Sequence, residues 1–419
     1  MKYGDRSVVC PLPQAAVLAP ALPDRLPDPV AAVRAALAHP LGTPPLAATV
    51  ATGERVAIVT SDITRYTASE IYLPVLVEEL TRCGIRTTDL SIVIALGIHR
   101  RQTEAEHRRI LGPLAGRIRV IDHDCDDPGQ LVDLGHTPCG LPVQINRHVV
   151  EADRVIVTGT VSLHYFAGFG GGRKGLVPGV ASRRTCMATH FAIFNPPEIG
   201  GKHPGARPGV LAGNPVHEAI LAAARMVEPD FLLNTVLTPD KRIADVVCGD
   251  LEQAHLAGCA RAKALYTVPL EHPADLAVVS CGGHPKDINF IQAHKALDYG
   301  VQAVRPGGTV ILLAACPDGF GNPTFFDWFR HQELAEFEAA LRRRYEINGQ
   351  TAYATLGKAR TWRVILVSGF SAEQTARMGM EKAADLDEAL RMAYERLPAD
   401  AAAVVIPDGG TVLPVVASR

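Results

Sequence analysis

Residues 55–99 read "RVAIVTSDITRYTASEIYLPVLVEELTRCGIRTTDLSIVIALGIH". Val56–Thr60 is an apolar, β-branched run without polar alternation, the pattern of a strand buried on both faces. Residues 69–84 change period. Apolar side chains recur every three to four positions, and Gly84 stands where a helix stops. Residues 89–99 return to the buried-strand pattern. Strand, helix and strand in succession predict a β-α-β unit with parallel strands.

The alternation continues outward. "TEAEHRRIL" opens with Thr103 and Glu106 at capping-box spacing. "RIRVIDHD" (117–124) and "ADRVIVTGTVS" (152–162) read as the third and fourth strands. Residues 182–195, 214–227 and 250–265 read as helices, with Asn214 as a cap and Pro215 at the first helical position. Residues 230–249 read as a hairpin turning at Pro239–Asp240. Before residue 55 the chain is rich in Pro and Ala, with one short helix near Pro29. The pattern restarts near residue 275: strands at "ADLAVVSCGG", "GGTVILLAACP", "RVILVSGF" and "AAAVVIPDGG" alternate with helices. The expectation is an α/β protein of two Rossmann-like domains, residues 1–270 and 271–419, with mostly parallel sheets and the active site between them.

The 419 residues carry a net charge of −2, so the basic excess of a nucleic-acid binder is absent. No run of about 18 apolar residues predicts a spanning helix. Nine cysteines without paired spacing fit a reduced, cytoplasmic setting better than a disulfide framework.

Ligands of open α/β sheets sit beyond the carboxyl ends of the strands. Those segments are polar here. Asp62 and Arg65 follow the first strand, His99 the second, and His164 with "GFGGGRKG" the fourth. Gln292 and Lys295 follow the first strand of the second domain. The glycine loop fails the P-loop pattern, because Lys174 is followed by Gly175 in place of Ser or Thr. Gly170, Gly172 and Gly175 fit G-x-G-x-x-G, but they trail the strand by about ten residues and meet Pro178. A flexible loop or an anion-contacting loop are the remaining readings, and Gly170, Gly171 and Gly172 are candidate phosphate contacts.

His99 and His164 end strands, where imidazoles near neutral pKa can exchange protons with a ligand; either also suits an ordinary surface histidine. His190 lies in a helix with no second ligand at i+3 or i+4, which opposes a zinc site built by the chain alone. Arg65 and Lys295 suit a substrate carboxylate or a solvated surface. Asp62 suits an active site or a helix cap.

Together, "SDITR", "GIHRRQT", "LHYFAGFGGGRKGLVPG", "ATHFAIF" and "IQAHKAL" resemble the nickel-dependent lactate racemase family. The most specific element is the triple His164, Lys174 and His190, spaced by ten and sixteen residues. The resemblance implies a nickel pincer nucleotide, a pyridinium-3-thioamide-5-thiocarboxylic acid mononucleotide, joined to Lys174 through a thioamide. Two sulfurs and a ring carbon of the cofactor bind nickel, and His190 completes a square plane. The implied reaction is racemisation of a 2-hydroxy acid. One of His99 and His164 takes the hydroxyl proton while the carbon-bound hydrogen leaves as hydride to the cofactor. A planar 2-keto acid then reorients and is reduced on its other face. Arg65, Gln292 and Lys295 correspond to substrate contacts, and Asp62 to an active-site aspartate on the cofactor side. Cofactor maturation proteins are the implied partners.

The chain departs from the family pattern at Ile291, where tyrosine is expected, and at Tyr66, where proline is frequent. The expectation is therefore a drier, roomier pocket for lactate or a slightly longer aliphatic acid, with malate disfavoured. Rival readings are a sugar-acid epimerase on the same scaffold, an NAD-dependent dehydrogenase and a non-catalytic nucleotide binder.

Overall fold

The computed structural model of the chain describes residues 1–20, 22–23 and 26–417. They form two compact units. The N-terminal unit holds Leu22–Ile193 and Pro204–Leu265; the C-terminal unit holds Met1–Ala21, Phe194–His203 and Tyr266–Arg419.

The apolar runs of the N-terminal unit become one sheet. Its strands are β1 (Val56–Ser61), β2 (Leu90–Ala95), β3 (Arg119–Asp122), β4 (Arg154–Val161), β5 (Phe231–Leu237) and β6 (Ile243–Gly249), in the order β6-β5-β4-β1-β2-β3. All neighbours are parallel except β5 and β6, the expected hairpin. Val56 stands beside Leu90 on one side and Arg154 on the other. The strand that comes first in the chain therefore lies centrally, and later strands add to both sides. Strand order reverses between β1 and β4, and such a reversal opens a ligand crevice at the carboxyl ends.

Both faces of β1 are covered: Val56, Ala57, Ile58 and Val59 are buried. Each Val or Ile so buried contributes roughly 1.5–3 kcal/mol of hydrophobic stabilisation. Helix α1 (Ser69–Arg82) supplies buried Leu73, Leu76 and Leu80 from successive turns. Its Tyr72 hydroxyl lies 3.2 Å from Thr60 Oγ1, 3.0 Å from Thr67 Oγ1 and 3.3 Å from Thr158 Oγ1. One side chain thus ties β1, the loop after it and β4 together. Helix α2 (Glu104–Leu111) begins at the capping box that the spacing predicts: the Thr103 hydroxyl accepts from Glu106 N, and the Glu106 carboxylate accepts from Thr103 N. Helix α3 (Arg183–Phe191) starts at Ser182, whose hydroxyl accepts from Thr185 N.

The C-terminal unit repeats the plan. Strands β7 (Ala274–Ser280), β8 (Val304–Leu313), β9 (Arg363–Val367), β10 (Glu381–Ala383) and β11 (Ala403–Ile406) take the order β10-β9-β8-β7-β11, with a short strand Ala16–Val17 beyond β11. Every pair is parallel. Helix α4 (Phe290–Gly300) follows β7. The α/β class with mostly parallel sheets therefore holds for both units.

Two stretches from the first half of the chain belong to the C-terminal unit. Ala16–Val17 extends its sheet, and Phe194–His203 is held by polar bonds. Gly201 N donates to Glu338 Oε2 at 2.6 Å, and Arg342 Nη2 donates to Asn195 O at 2.6 Å. Among the described residues, no helix is long and apolar enough to cross a membrane.

Candidate active site

The loops after β1, β2 and β4 leave neighbouring strands of the N-terminal sheet, so they lie side by side at its carboxyl edge. Asp62 follows β1 and is buried, 2% exposed. Its Oδ1 accepts from Thr64 N at 3.0 Å and Thr64 Oγ1 at 2.6 Å; its Oδ2 lies 2.5 Å from His99 Nδ1. Burial raises the Asp62 pKa. The bond and charge of His99, the Thr64 hydroxyl and the Arg65 charge outweigh it and hold the pKa below the ordinary carboxylate value. An ionised Asp62 fixes the proton of neutral His99 on Nδ1 and leaves Nε2 as the basic nitrogen. Asp62, a candidate on the cofactor side, is bonded to a candidate catalytic histidine. The loop between Asp62 and α1 ends at Ala68, a buried non-glycine residue in the left-handed region (φ 60°, ψ 35°). Backbone strain of this kind is concentrated at functional sites.

After β4 the chain makes a small hairpin in which Leu163–His164 pairs with Gly168–Phe169. His164 Nδ1 accepts from Ala167 N at 3.3 Å. The structure brings His164, Lys174 and His190 together around one ring. Phe166, buried, meets His164 edge-on with ring centroids 4.6 Å apart and His190 with centroids 5.2 Å apart. The Lys174 Nζ lies 5.9 Å from the same ring centroid. Phe166 is absent from the residues singled out in the sequence, because an aromatic beside a glycine loop reads as core.

Burial, with the charges of Arg65 and Arg173 adding to it, drives the Lys174 pKa well below the usual lysine value. Burial, then the Lys174 charge, pushes His190 down to about 3. His190 Nδ1 lies 2.8 Å from Cys186 O and donates to it, so the lone pair is on Nε2. The site thus offers a neutral imidazole and an amine biased toward its neutral, nucleophilic form. Among the described residues, no group of three or more His, Cys, Asp or Glu could hold a metal ion. A metal on His190 therefore needs donors from outside the chain. Lys174 and His190 fit a group that attaches to an amine and brings its own metal donors.

The glycine loop is built differently from expectation. Gly170 N donates to Ser162 O, and Gly172 N to Asn234 Oδ1, both at 2.7 Å. The Gly170 and Gly172 amides are thus engaged inside the protein. The glycines are required sterically. Gly171 has φ 71°, and a Cβ there would stand 2.7 Å from Asn234 Oδ1 and 2.8 Å from Thr160 O. Arg173 is buried and clamps the loop from within, donating to Ala167 O, to Phe169 O and, at 2.9 Å, to His255 Nε2.

Arg65 is exposed and, with Arg109, lines a cavity of about 210 Å³ beside Asp62. Its charge is felt at Lys174 and at His190, which puts it in the same neighbourhood. Gln292 and Lys295 belong to α4 of the C-terminal unit, where Lys295 Nζ donates to Gln292 Oε1 at 2.6 Å.

The chain is similar in sequence and fold to known proteins. The model of the lactate racemase N-terminal domain matches residues 3–200, and that of the lactate racemase C-terminal domain matches residues 270–414. The lactate racemase of Thermoanaerobacterium thermosaccharolyticum is 34% identical over 400 residues, covering 91% of this chain and 89% of the relative. That of Lactiplantibacillus plantarum is 33% identical over 384 residues, covering 90% and 89%. The structure of the lactate racemase apoprotein from Thermoanaerobacterium thermosaccharolyticum matches with a TM-score of 0.88 at 32% identity, over 99% of this chain and 98% of that one. A Thermotoga maritima protein, 19% identical with a TM-score of 0.64 over 93% and 98% of the chains, shares the fold. Two domain models that together span most of the sequence, and relatives matched nearly end to end, establish that the chain belongs to the lactate racemase family.

Proposed function

We propose that the protein interconverts the enantiomers of 2-hydroxy acids, lactate included, using a nickel pincer nucleotide attached to Lys174. As a member of the lactate racemase family it is an isomerase. The observation that carries the reading is the gathering of His164, Lys174 and His190 around Phe166, beside an Asp62–His99 pair.

Lys174 is the attachment point, since a lysine held toward its neutral form can attack an activated carbonyl or thiocarbonyl carbon. His190 Nε2 is the protein's single metal donor. When bound, the group supplies an acceptor for the carbon-bound hydrogen as hydride, which no side chain offers. The remaining work falls to the chain. Arg65 holds the substrate carboxylate through its planar fork. His99 Nε2 removes the hydroxyl proton, and the Asp62 carboxylate stabilises the imidazolium that results. The hydroxyl points to opposite sides in the two enantiomers, so a second proton-exchanging group is needed on the other side, and His164 takes that role.

The test uses protein made together with the cofactor maturation proteins. Intact and peptide mass spectrometry should find added mass on the peptide containing Lys174, with nickel in metal analysis and racemisation followed by chiral chromatography. Lys174→Ala should carry no added mass. His99→Ala should keep the mass and lose turnover by roughly 10²–10⁴-fold. Full racemisation in both variants would refute the mechanism.

A further inference from the structure

We infer that the substrate preferred by this site is a 2-hydroxy dicarboxylic acid, with one carboxylate on Arg65 and the second on Arg109. The inference rests on the racemase reading above and specifies its substrate class. It reverses the expectation of a dry pocket for aliphatic acids.

The cavity beside Asp62 lies at the carboxyl end of β1, next to the point where strand order reverses. Arg65 enters it from the loop after β1, and Arg109 from α2. Among the described residues, no ion pair engages either guanidinium. Their neighbours Arg100 and Arg108 are, by contrast, paired with Glu106 and Glu104. The acidic groups of the wall are both engaged. Asp62 is bonded to His99 and Thr64, and Glu70 Oε1 accepts from the Tyr66 hydroxyl at 2.6 Å.

Of the wall hydroxyls, those of Tyr66, Ser69 and Thr67 are engaged within the protein. Ser69 donates to Ile110 O at 2.7 Å, and Thr67 is bonded to Tyr72. This leaves the two guanidiniums as charged donors facing one small cavity without an anion. Each can take a carboxylate through two parallel hydrogen bonds. An aliphatic tail finds little to rest on, since Ile63 and Ile110 are the apolar residues of the lining. The gain from burying methylenes requires an apolar surround. A polyhydroxylated acid would find three of the wall hydroxyls, Tyr66, Ser69 and Thr67, already engaged within the protein.

The test compares malate, lactate, 2-hydroxybutyrate and gluconate as substrates of the holoenzyme. The kcat/KM for malate should exceed that of each of the others by tenfold or more. Arg109→Gln should lower the malate-to-lactate ratio of kcat/KM at least tenfold, chiefly through KM, and Arg109→Lys should restore part of it. Equal or faster turnover of lactate, 2-hydroxybutyrate or gluconate overturns the inference, as does an unchanged ratio in Arg109→Gln. Calorimetry on the full-length protein without cofactor separates this inference from the racemase reading. Succinate should bind at least tenfold more tightly than butyrate, and Arg109→Gln should erase the difference. No preference for succinate sinks the dicarboxylate assignment even where lactate is racemised. A clear preference without any racemisation sinks only the racemase reading. The wild-type comparisons stand by themselves if the variant fails to fold.

Discussion

The base role proposed for His99 rests on what lies behind it. Its Nδ1 faces the Asp62 carboxylate at 2.5 Å, and that carboxylate is held in ionised form by His99, Thr64 and Arg65 against the effect of burial. His164 has a different neighbour: a backbone N–H, from Ala167, points at its Nδ1. A carboxylate accepts a hydrogen bond from Nδ1–H, whereas an N–H donor needs a lone pair on the nitrogen it faces. The two candidate bases are therefore unlike, and substitution behind one tests this. Asp62→Asn keeps the shape but presents a neutral amide, which no longer fixes the Nδ1 proton. Its kcat should fall by roughly 10²–10⁴-fold, with KM changed by only a few-fold and the Lys174 adduct intact. The pH–rate profile should change shape as well. Wild-type kcat with an unaltered profile would show that Asp62 does not position His99.

At the scale of elements, the strands were legible because buried parallel strands are continuous apolar runs, and "RVAIVTSD" has no competing period. Helix α2 was legible from its cap. Less visible were the short strand Ala16–Val17 and the segment Phe194–His203, whose places depend on partners far away in sequence. The glycine loop was legible as a special site, but the partners of its amides were not. Composition shows that bare amides exist, and only coordinates show that Ser162 O and Asn234 Oδ1 already engage two of them. The candidate site divides the same way: residue types at strand ends pointed to His99, His164, Lys174 and His190, whereas Phe166, which joins three of them, carries no such signal. A steric role for the glycines has a consequence. Gly171→Ala places a Cβ against Asn234 Oδ1 and Thr160 O at a left-handed φ. It should destabilise the protein by about 1–3 kcal/mol and lower the fraction of Lys174 that carries the cofactor. Differential scanning calorimetry and peptide mass spectrometry read the two effects. An unchanged Tm with full loading would restore the loop to a solvent-facing, anion-binding role.

Across the whole molecule, burial has neutralised a set of histidines. It lowers His123, takes His190 to about 3, takes His217 and His294 to about 4, and holds His255 well below the ordinary value. His294 lies in the C-terminal unit and the other four in the N-terminal unit, so both are affected. The unfolded chain has ordinary histidines near 6.5. Between that value and the lower folded values, the unfolded state binds more protons, so stability rises with pH. The contribution of these histidines is complete above about pH 6.5 and is lost as pH falls toward 4. Carboxylates with lowered pKa, such as Asp62, contribute above their unfolded values near 4 and lose that contribution only below them, so they leave this window nearly untouched. Denaturant unfolding at pH 7, 6 and 5 should therefore show stability decreasing at each step, with no loss of fold at pH 7. His217, whose Nδ1 is buried without a hydrogen-bond partner, is the site to substitute, since it lies outside the candidate active site. His217→Gln should reduce the slope between pH 6 and 5 by up to about 1.4 kcal/mol per pH unit, the effect of one proton. A flat wild-type profile over this range, or a slope that survives His217→Gln undiminished, would mean that these imidazoles are protonated or hydrated in the native protein.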